Sequence, residues 1–283
     1  MLDPTTLPHQ VDALLALALS EDIGTGDVTT LACVEPAATT TATLLAKDAL
    51  VVAGMPFFVR AFQLVDARVT VETLAAEGRE VPAGTVIARL AGPTRSLLTG
   101  ERTALNVLQR LCGTATLTRR WTEALAGTAT RVTDTRKTTP GMRLMQKYAV
   151  AVGGGSNHRF GLDSGVLIKD NHIAACGSLT AAVERCRARV PHLMKIEAEA
   201  TTLALVDEAI AAGADIILLD NMDLATMAEA VRRIRAAGRP LLAEASGGLT
   251  LDRARAVAMT GVDLVSVGGL THSAPAADLS LEF

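Results

Sequence analysis

The second half of the chain repeats one pattern, and this pattern restricts the fold more than any other feature of the sequence. After Gly127, short apolar runs alternate with helical segments, at a spacing of roughly 22–25 residues from the third run onward. Such runs, separated by helices, are typical of parallel strands joined by right-handed crossovers. The predicted strands cover residues 130–133, 165–168, 193–198, 215–219, 240–243 and 263–267. The predicted helices cover residues 140–151, 178–189, 202–212, 223–237 and 250–259.

The number of these repeats decides between a complete and an incomplete barrel. At least six units fit into about 150 residues, whereas a complete (β/α)8 barrel usually takes about 250 residues. We interpret these strands as apolar on both faces, which favours a parallel sheet covered by helices. The second half is therefore predicted to be an open, incomplete α/β barrel.

The first half mixes strands and helices in an order that indicates an α+β domain. The predicted elements are a helix at 8–20, a strand at 41–52, a helix at 56–65, a strand at 67–74, paired short strands at 77–90, and two helices at 94–125 with a break near Cys112-Gly113. We divide the chain into an N-terminal α+β domain at 1–112 and a catalytic α/β barrel at 113–272. A tail at 273–283 is expected to pack back on the N-terminal domain.

The charge of the chain is distributed unevenly. The net charge is −3, from 27 basic and 30 acidic residues, which argues against general nucleic-acid binding because that needs a basic surplus. The window 131–172 holds seven Lys or Arg and three acidic residues, so it carries +4 and the remainder carries −7. A basic window in an acidic chain indicates a small anionic ligand.

The cysteines and the apolar runs exclude several other classes of protein. None of the four cysteines lies in a CxxC pair, so neither a zinc site nor a redox motif is indicated, and a reducing cytoplasm is favoured. No run reaches the roughly 18 uncharged apolar residues that a membrane span needs. We expect a cytoplasmic protein that binds neither membrane nor nucleic acid.

Polar residues follow each predicted strand of the second half, where barrel enzymes place their active sites. The candidate residues are Thr135, Arg136 and Lys137 after the first strand, Lys169 after the second, Glu197 and Glu199 at the end of the third, Asp220 after the fourth, Ser246, Gly247 and Gly248 after the fifth, and Gly268 and Gly269 after the sixth. Loops after strands are polar in most proteins, so a polar residue in any one of these loops is weak evidence for a functional site. Six such loops in a row indicate a functional site.

The residue types in these loops favour an anionic substrate. Arginine holds carboxylate or phosphate bidentately, and lysine serves as a point charge, so Arg136, Lys137, Arg159 and Lys169, together with His158, would form a cationic cluster. The glycine-rich loops allow a phosphate to approach the backbone closely. Two carboxylates, Glu199 and Asp220, could bind sugar hydroxyls or Mg²⁺, or could be structural partners of the lysines.

Several motifs together resemble the quinolinate phosphoribosyltransferase family along nearly the whole chain. They include Thr-Arg-Lys-Thr-Thr-Pro-Gly at 135–141, Gly-Gly-Gly at 153–155, Asn-His-Arg at 157–159, and Leu-Ile-Lys-Asp-Asn-His-Ile at 167–173. Further matches are Glu-Asp-Ile-Gly at 21–24, Glu-Arg-Thr-Ala-Leu-Asn at 101–106, Leu-Asp-Asn-Met at 219–222, Glu-Ala-Ser-Gly-Gly at 244–248 and Thr-His-Ser at 271–273.

This resemblance implies a fold, a reaction and a set of residue roles. The fold would be an N-terminal α+β sandwich followed by the open barrel. The substrates would be quinolinate and phosphoribosyl pyrophosphate, with Mg²⁺ as cofactor, and the products nicotinate mononucleotide, pyrophosphate and carbon dioxide. Lys137, Glu199 and Asp220 would be catalytic, and the two carboxylates would also lie near the metal. The chain would form a homodimer, or a higher oligomer, in which Arg102 reaches into the neighbouring site.

The remaining site residues that the resemblance implies bind the substrates. The cationic cluster and Thr135 would hold quinolinate and pyrophosphate, and the 5′-phosphate would lie against Ser246, Gly247, Gly248, Gly268 and Gly269. Of the two glutamates after the third strand, Glu199 fits the family spacing to Asp220 better than Glu197 does.

Two other functions compete with this one. A Schiff-base aldolase would use Lys169 or Lys195 as its nucleophile. A non-enzymatic anion-binding protein is a further alternative, because a relative linked to molybdenum transport shares the fold and the Thr-Arg-Lys motif. That relative usually lacks the Lys-Asp-Asn-His run, which is intact here at 169–172.

Overall fold

The computed structural model describes residues 9–283, so the parts of the predicted helix 8–20 and of the predicted first domain that fall on residues 1–8 lie outside the described residues. The chain forms two compact units. The first unit holds the described residues up to Arg119, together with Thr138–Gly154 and Gly269–Phe283. The second unit holds Arg120–Lys137 and Gly155–Gly268. Both units are therefore discontinuous along the chain, whereas the predicted domains are continuous ranges.

Strands and helices alternate in the second half of the chain, as the sequence pattern predicts. All elements are numbered here in chain order. Up to residue 152 they are α1 (His9–Ile23), α2 (Val28–Cys33), β1 (Thr39–Ala46), β2 (Leu50–Val51), α3 (Met55–Val65), β3 (Thr70–Thr73), β4 (Glu80–Val81), β5 (Val86–Pro93), α4 (Thr94–Ala124), β6 (Arg131–Thr133) and α5 (Arg143–Val152). They continue with β7 (Val166–Ile168), α6 (Asp170–Cys176), α7 (Leu179–Arg189), β8 (Ile196–Ala200), α8 (Leu203–Ala212), β9 (Ile216–Asp220), α9 (Leu224–Ala236), β10 (Leu242–Ser246), α10 (Ala254–Ala258), β11 (Leu264–Ser266), α11 (Gly269–His272) and β12 (Leu279–Glu282).

An antiparallel sheet in the order β12-β1-β5-β3 organises the first unit. The last strand of the chain pairs with β1, with Thr43 opposite Glu282. The apolar core of this unit is built around α3, whose Phe57, Phe58 and Phe62 are buried. The rings of Phe58 and Phe62 meet edge to face, with centroids 5.2 Å apart.

Three predictions for the first half are wrong. The strands predicted as a pair at 77–90 are β4 and β5, which do not pair with each other: β4 pairs with β2, and β5 pairs with β1 and β3. The predicted strand 41–52 is two strands, because the exposed residues Lys47 and Asp48 turn the chain between β1 and β2. The predicted break near Cys112-Gly113 does not occur, and α4 is continuous over 31 residues. Gly113 instead provides room for another segment, because a Cβ there would collide with the carbonyl oxygen of Pro275. A glycine inside a helical pattern can therefore mark close packing instead of a helix end.

The sequence pattern did not predict four short elements. They are α2, α6, α11 and β12. In α2, the side chain of Asp27 caps the helix by accepting the N–H of Thr30 at 3.0 Å. The predicted helix 250–259 consists of a 3₁₀ turn followed by the short α10.

A parallel sheet in the order β6-β11-β10-β9-β8-β7 forms the second unit. Within residues 9–283, β6 and β7 are its two edges and are not paired with each other, so the sheet is open. This arrangement, together with the small antiparallel sheet of the first unit, confirms the predicted fold class.

The two faces of the parallel sheet differ in polarity, and this difference positions the site. Side chains two residues apart share a face, and register carries that face across the strands. One face, here called the polar face, carries Glu197, Glu199, Leu218, Asp220, Glu244 and Ser246. The other face carries small or apolar side chains that are fully buried: Ala198, Ile217, Ala243 and Ala245. The prediction that these strands are apolar on both faces is therefore wrong.

Candidate active site

The carboxyl ends of the strands on the polar face line a cavity of about 570 Å³ in the second unit. Because the strands are parallel, the loops that follow them converge at one edge of the sheet. The sequence-predicted residues that line this cavity are Thr135, Arg136, Lys137, His158, Arg159, Lys169, Glu199, Asp220, Ser246, Gly247 and Gly248. One cavity thus collects cationic, carboxylate and glycine-rich groups that are spread over more than 110 positions of sequence.

Four of the side chains that line this cavity are cationic: Arg136, Lys137, Arg159 and Lys169. Arg159 donates from Nη1 to the carbonyl oxygen of Gly165 at 2.9 Å, which directs its guanidinium group. Burial and the positive charge of Arg136 lower the pKa of Arg159, whereas the negative charge of Glu197 raises it. A bound anion would stabilise the charge of Arg159, which burial and the neighbouring guanidinium disfavour.

The two predicted carboxylates line the same cavity, and each accepts a hydrogen bond from a neighbouring side chain. Glu199 is largely buried and accepts from Nζ of Lys169 at 2.9 Å, and Lys169 itself is half exposed. Asp220 ends β9 and accepts from Nδ2 of Asn221 at 2.7 Å. The sequence left open whether these carboxylates pair with lysines, and the structure shows this pairing for Glu199.

The loops after β9 and β10 fit together through Asn221 and Gly247. Asn221 has a φ of 55°, a left-handed conformation that asparagine adopts more easily than most residues. Its N–H donates to the carbonyl oxygen of Ser246 at 3.0 Å. Gly247 has a φ of 89°, and a Cβ there would collide with the side chain of Asn221. Glycine at this position therefore lets the two loops approach each other at the edge of the cavity.

The partly buried His158 and the buried Glu197 and Glu244 form a cluster of three side chains, of which His158 and Glu244 line the cavity. Nε2 of His158 lies 3.0 Å from Oε2 of Glu197 and 3.7 Å from Oε1 of Glu244. Burial, followed by the neighbouring charge of Glu197, raises the pKa of Glu244 to about 7. The potential ligand atoms of the three side chains lie within 4.8 Å of one another.

Three residues of the site were missed or passed over in the sequence. Glu197 was set aside in favour of Glu199, Glu244 was assigned to a loop although it lies within β10, and Asp134 was not considered as a site residue. All three are buried. The available signal for the two glutamates was the alternation of polar and apolar residues in IEAEA and LAEAS, since that spacing carries Glu197 with Glu199, and Glu244 with Ser246, on one face of each strand.

A second cavity of about 420 Å³ lies towards the amino ends of the strands and is here called the amino-end cavity. Arg131, Lys195 and Ile216 line it, and it shares Glu244 and His158 with the first cavity. Lys195 therefore lies at the opposite end of the strands from the predicted site.

Three predicted site residues lie outside the lining of the first cavity. Arg102 is on α4 in the first unit, where its exposed guanidinium lies 3.9 Å from Glu101. Gly268 is the last residue of the second unit, and Gly269 begins α11 in the first.

The open parallel sheet and its cavity define a class of protein, an α/β enzyme whose strand ends bind a small anionic substrate. Comparison with known proteins narrows this class. Family models described as quinolinate phosphoribosyl transferase match the chain twice, the N-terminal domain at 27–112 and the C-terminal domain at 114–282. The chain belongs to the quinolinate phosphoribosyltransferase family, which confirms the resemblance found in the sequence.

Individual relatives match over nearly their whole length. A protein from Synechocystis sp. named "Probable nicotinate-nucleotide pyrophosphorylase (carboxylating)" is 47% identical, over 96% of this chain and 92% of its own. The human nicotinate-nucleotide pyrophosphorylase (carboxylating) is 37% identical, over 100% of this chain and 93% of its own. The crystal structure of NadC from Streptococcus pyogenes superposes with a TM-score of 0.93 at 41% identity, covering 100% of this chain and 98% of that one.

The helices give one result about membranes. Among the described residues, no helix is both long enough and apolar enough to span a bilayer.

Proposed function

We propose that this chain transfers the phosphoribosyl group of phosphoribosyl pyrophosphate to quinolinate, with decarboxylation, in NAD biosynthesis. The products are nicotinate mononucleotide, pyrophosphate and carbon dioxide. The observation that carries the proposal is the single cavity in which Arg136, Arg159 and Lys169 lie beside the carboxylates Glu199 and Asp220. This charge arrangement suits a substrate with two carboxylates next to a sugar that becomes cationic, and the family relatives carry the corresponding name.

The cationic residues act on the acceptor and on the leaving group. Arg136, Arg159 and Lys169 neutralise the two carboxylates of quinolinate and orient its ring nitrogen towards C1 of the sugar. The nitrogen forms a bond to C1 as the bond from C1 to pyrophosphate breaks. Lys137 stabilises the charge that develops on the departing pyrophosphate. Much of the rate enhancement therefore comes from positioning and from charge stabilisation.

The carboxylates act on the sugar. Glu199 and Asp220 hold the ribose hydroxyls and stabilise the positive charge of an oxocarbenium-like transition state. The phosphoribosylated nitrogen is then a pyridinium. Loss of carbon dioxide from the adjacent C2 leaves its electron pair next to that positive nitrogen, so the substrate supplies its own electron sink. A proton from Lys137 or from water then completes the product.

Mg²⁺ is proposed as the cofactor, and the residues present fit it. Carboxylate oxygens are the ligands that Mg²⁺ prefers in proteins, usually one or two of them together with substrate phosphates. Glu199 and Asp220 line the same cavity and would supply these oxygens. When bound, the ion would neutralise part of the negative charge of pyrophosphate.

The assembly and the location of the enzyme are also proposals. We propose a homodimer, or a higher oligomer, in which Arg102 enters the site of the partner; its exposed position on α4 is compatible with such a role. We place the enzyme in the cytoplasm, which suits the four free cysteines.

One assay tests the reaction. Purified protein is incubated with quinolinate, phosphoribosyl pyrophosphate and Mg²⁺, and nicotinate mononucleotide and carbon dioxide are measured, with nicotinate as the control substrate. Product from quinolinate alone supports the proposal. Binding of phosphoribosyl pyrophosphate without turnover would instead favour an anion-binding protein, and borohydride trapping of a carbonyl substrate on Lys169 would favour an aldolase.

Two variants test the residue roles. Arg102→Ala should raise the KM for quinolinate, and a mixed dimer that retains one intact site should recover activity; unchanged kinetics would contradict a shared site. Glu199→Ala should lower kcat with the fold intact, because its carboxylate acts on the transition state. Near-normal turnover by this second variant would remove Glu199 from the mechanism.

A further inference from the structure

Gln146, on α5, is a buried polar side chain of the first unit to which the proposed mechanism gives no role. It is 0% exposed. Its Oε1 accepts the N–H of Thr139 at 2.8 Å. Its Nε2 donates to the carbonyl oxygen of Thr271 at 2.8 Å and to Oγ1 of Thr139 at 3.2 Å. The oxygen and the nitrogen of this amide are therefore both hydrogen-bonded inside the first unit.

The two backbone groups that meet Gln146 need different partners. The N–H of Thr139 can only donate, and the carbonyl oxygen of Thr271 can only accept. These two partners also fix which atom of the amide is oxygen and which is nitrogen. Residue 146 must therefore present an acceptor and a donor at the same time, and an amide does so whatever the pH. A carboxylate offers only acceptors, so a glutamate would satisfy both partners only when it carries a proton.

The side chain of Gln146 joins two segments of the first unit that are far apart along the chain. Thr139 belongs to the segment 138–142, which leads into α5, and the N–H of Met142 donates to its carbonyl oxygen at 3.0 Å. Thr271 is a buried residue of α11, 125 positions after Gln146. The segment ahead of α5 and the helix α11 are thus held together by one amide group.

Each of these two segments directly continues a part of the chain that the proposed function assigns to phosphoribosyl pyrophosphate. Lys137, which is assigned to the pyrophosphate group, comes two residues before Thr139. Gly268 and Gly269, which are assigned to the 5′-phosphate, come three and two residues before Thr271. Phosphoribosyl pyrophosphate is therefore the substrate whose binding depends on both segments.

We infer that Gln146 is a positioning residue for phosphoribosyl pyrophosphate: by bonding Thr139 and Thr271 it fixes, through the chain, the residues that hold the two phosphate-bearing ends of this substrate. The inference rests on the proposed function, which assigns those residues. Because Gln146 is fully buried and bonded within the first unit, it acts through its two partners and not by touching the substrate. Groups that are held in place before a ligand arrives lose less conformational entropy when it binds.

A pair of methionine variants separates positioning from a general loss of stability. Gln146→Met keeps the length of the side chain and removes its donor and its acceptor. Gln109→Met is the matched control, because Nε2 of Gln109 also donates to a backbone carbonyl oxygen of the first unit, that of Leu279, at 3.0 Å. Both variants are assayed below their unfolding transitions.

The two variants should differ in one kinetic constant. Gln146→Met should raise the KM for phosphoribosyl pyrophosphate roughly 10-fold or more, with smaller changes in kcat and in the KM for quinolinate, because two backbone groups lose their partner. Gln109→Met should leave both KM values within a factor of about two. An unchanged KM for phosphoribosyl pyrophosphate in folded Gln146→Met would overturn the inference.

Gln146→Glu tests the requirement for a donor and an acceptor. Its protonated form can keep both bonds, whereas its carboxylate would face the carbonyl oxygen of Thr271 with a second acceptor. The KM of this variant for phosphoribosyl pyrophosphate, divided by that of the wild type at the same pH, should be about one at about pH 5.5 and at least roughly fivefold higher at about pH 8.5. A ratio that does not change with pH would contradict the inference.

Dividing by the wild-type value removes the titrations that the two proteins share. The segment 138–142 contains no charged or titratable side chain. Those on the helices that hold residue 146, with the carboxylate bonded to one of them, are Arg143, Lys147 and Tyr148 on α5, His272 on α11, and Glu77, which accepts from the hydroxyl of Tyr148.

Two further measurements keep this inference separate from the proposed function. Calorimetric binding of phosphoribosyl pyrophosphate needs no turnover. If the wild type binds it without converting quinolinate, the proposed reaction fails, and a Kd raised in Gln146→Met but not in Gln109→Met still supports positioning. If the wild type converts quinolinate and the two methionine variants behave alike, the function stands and the positioning role fails.

The second measurement needs no substrate. By chemical denaturation, the stability of Gln146→Glu relative to the wild type should fall as pH rises above the ordinary range of a glutamate, because the folded state keeps a proton that the unfolded state has lost. A relative stability that is independent of pH would show that residue 146 need not donate to Thr271, and the link between the two segments would fail.

Discussion

The half-buried carboxylate Glu77 of the first unit and the buried carboxylates Glu197 and Glu244 of the second are in opposite situations. In the first unit, Glu77 accepts the N–H of Gly54 at 3.0 Å, the N–H of Met55 at 2.7 Å and the hydroxyl of Tyr148 at 3.0 Å. In the second unit, Glu197 and Glu244 each bury a carboxylate oxygen, Oε1, that has no hydrogen-bond partner within residues 9–283. Each such oxygen costs stability, of the order of 1–3 kcal/mol.

This difference in hydrogen bonding indicates a structural role for Glu77 and a functional role for the carboxylates of the polar face. Glu77 satisfies the first N–H groups of α3, so its charge stabilises a helix end next to an apolar core. The carboxylates of the polar face stabilise no helix end, and they lie beside the cations of the cavity. Unsatisfied buried polar groups are concentrated at functional sites, where stability is exchanged for activity. We therefore expect changes in the apolar core of the first unit to alter stability and changes in the cavity to alter activity.

The largest effect is expected from the core of the first unit. Phe62→Ala should lower the free energy of unfolding by about 3–5 kcal/mol, because it leaves a cavity beside Phe58. Chemical denaturation measures this change, and kcat/KM below the unfolding transition should stay within a factor of about two. Phe283→Ala is the control, since that ring is 55% exposed and its removal should change little. A large loss of activity in folded Phe62→Ala would show that the two units do not divide these tasks.

The second effect concerns activity without a change in stability. Arg136→Ala should lower kcat/KM by roughly 100-fold or more, equivalent to about 3 kcal/mol, because a cation that binds the dicarboxylate is lost. Steady-state kinetics and the thermal unfolding midpoint should be measured on the same preparation. A midpoint that falls by more than about 5 °C would indicate that Arg136 stabilises the fold as well.

A smaller effect depends on pH and tests the unsatisfied carboxylates directly. The pKa of Glu244 is raised to about 7 in the folded protein from an ordinary value of 4.5. The folded state therefore keeps a proton that the unfolded state has lost, and stability falls as pH rises from about 4.5 to 7. Glu244→Gln removes this dependence. Relative to the wild type, its stability should increase across that window by up to about 3 kcal/mol, measured by denaturation at pH 5 and pH 8.

A Glu244→Gln variant whose stability relative to the wild type shows no pH dependence would also test the contrast between the two units. If the stability of Glu244→Gln relative to the wild type does not change between pH 5 and pH 8, Glu244 is ionised in the folded protein throughout this range. The carboxylates of the polar face would then be held by the neighbouring cations as Glu77 is held by its donors, and the contrast between the units would disappear.

The smallest effect is expected in the second unit away from its cavity. Ser178 caps α7 by accepting the N–H of Ala181 at 3.1 Å. Ser178→Ala should cost about 1 kcal/mol of stability, with kcat/KM unchanged, because the helix end loses one acceptor. Ser178→Asp keeps the cap and should restore the stability. Altered kinetics in Ser178→Ala would show that the activity is sensitive to this unit as a whole.

The fold could be predicted from the sequence where elements repeat and where their apolar residues are continuous. The strands of the second half were placed within a few residues of β6 to β11, because each is a short buried run between helices. Prediction failed at Gly113, since the sequence does not show which segment approaches a glycine. It also failed at α6, which begins directly after β7, because loops and short helices have the same polar composition.

The cavity residues could be predicted because their position along the strands determines where they lie. Arg136, Lys169 and Asp220 each lie at or just after the end of a strand, and parallel strands bring such residues to one edge. The contact between Lys169 and Glu199 was only one of the alternatives that the sequence left open, because local spacing does not specify a partner 30 residues away.

The sequence by itself determined the alternation of strands and helices in the second half, the family, and the set of cations and carboxylates at the strand ends, because these depend on local patterns and motifs. Only the tertiary structure decided which buried groups face one another. His158 meets Glu197 and Glu244 through β8 and β10, at 39 and 86 positions along the chain. A ring nitrogen takes or gives up a proton according to the atoms within about 3 Å of it, and those atoms come from strands that become neighbours only when the sheet forms.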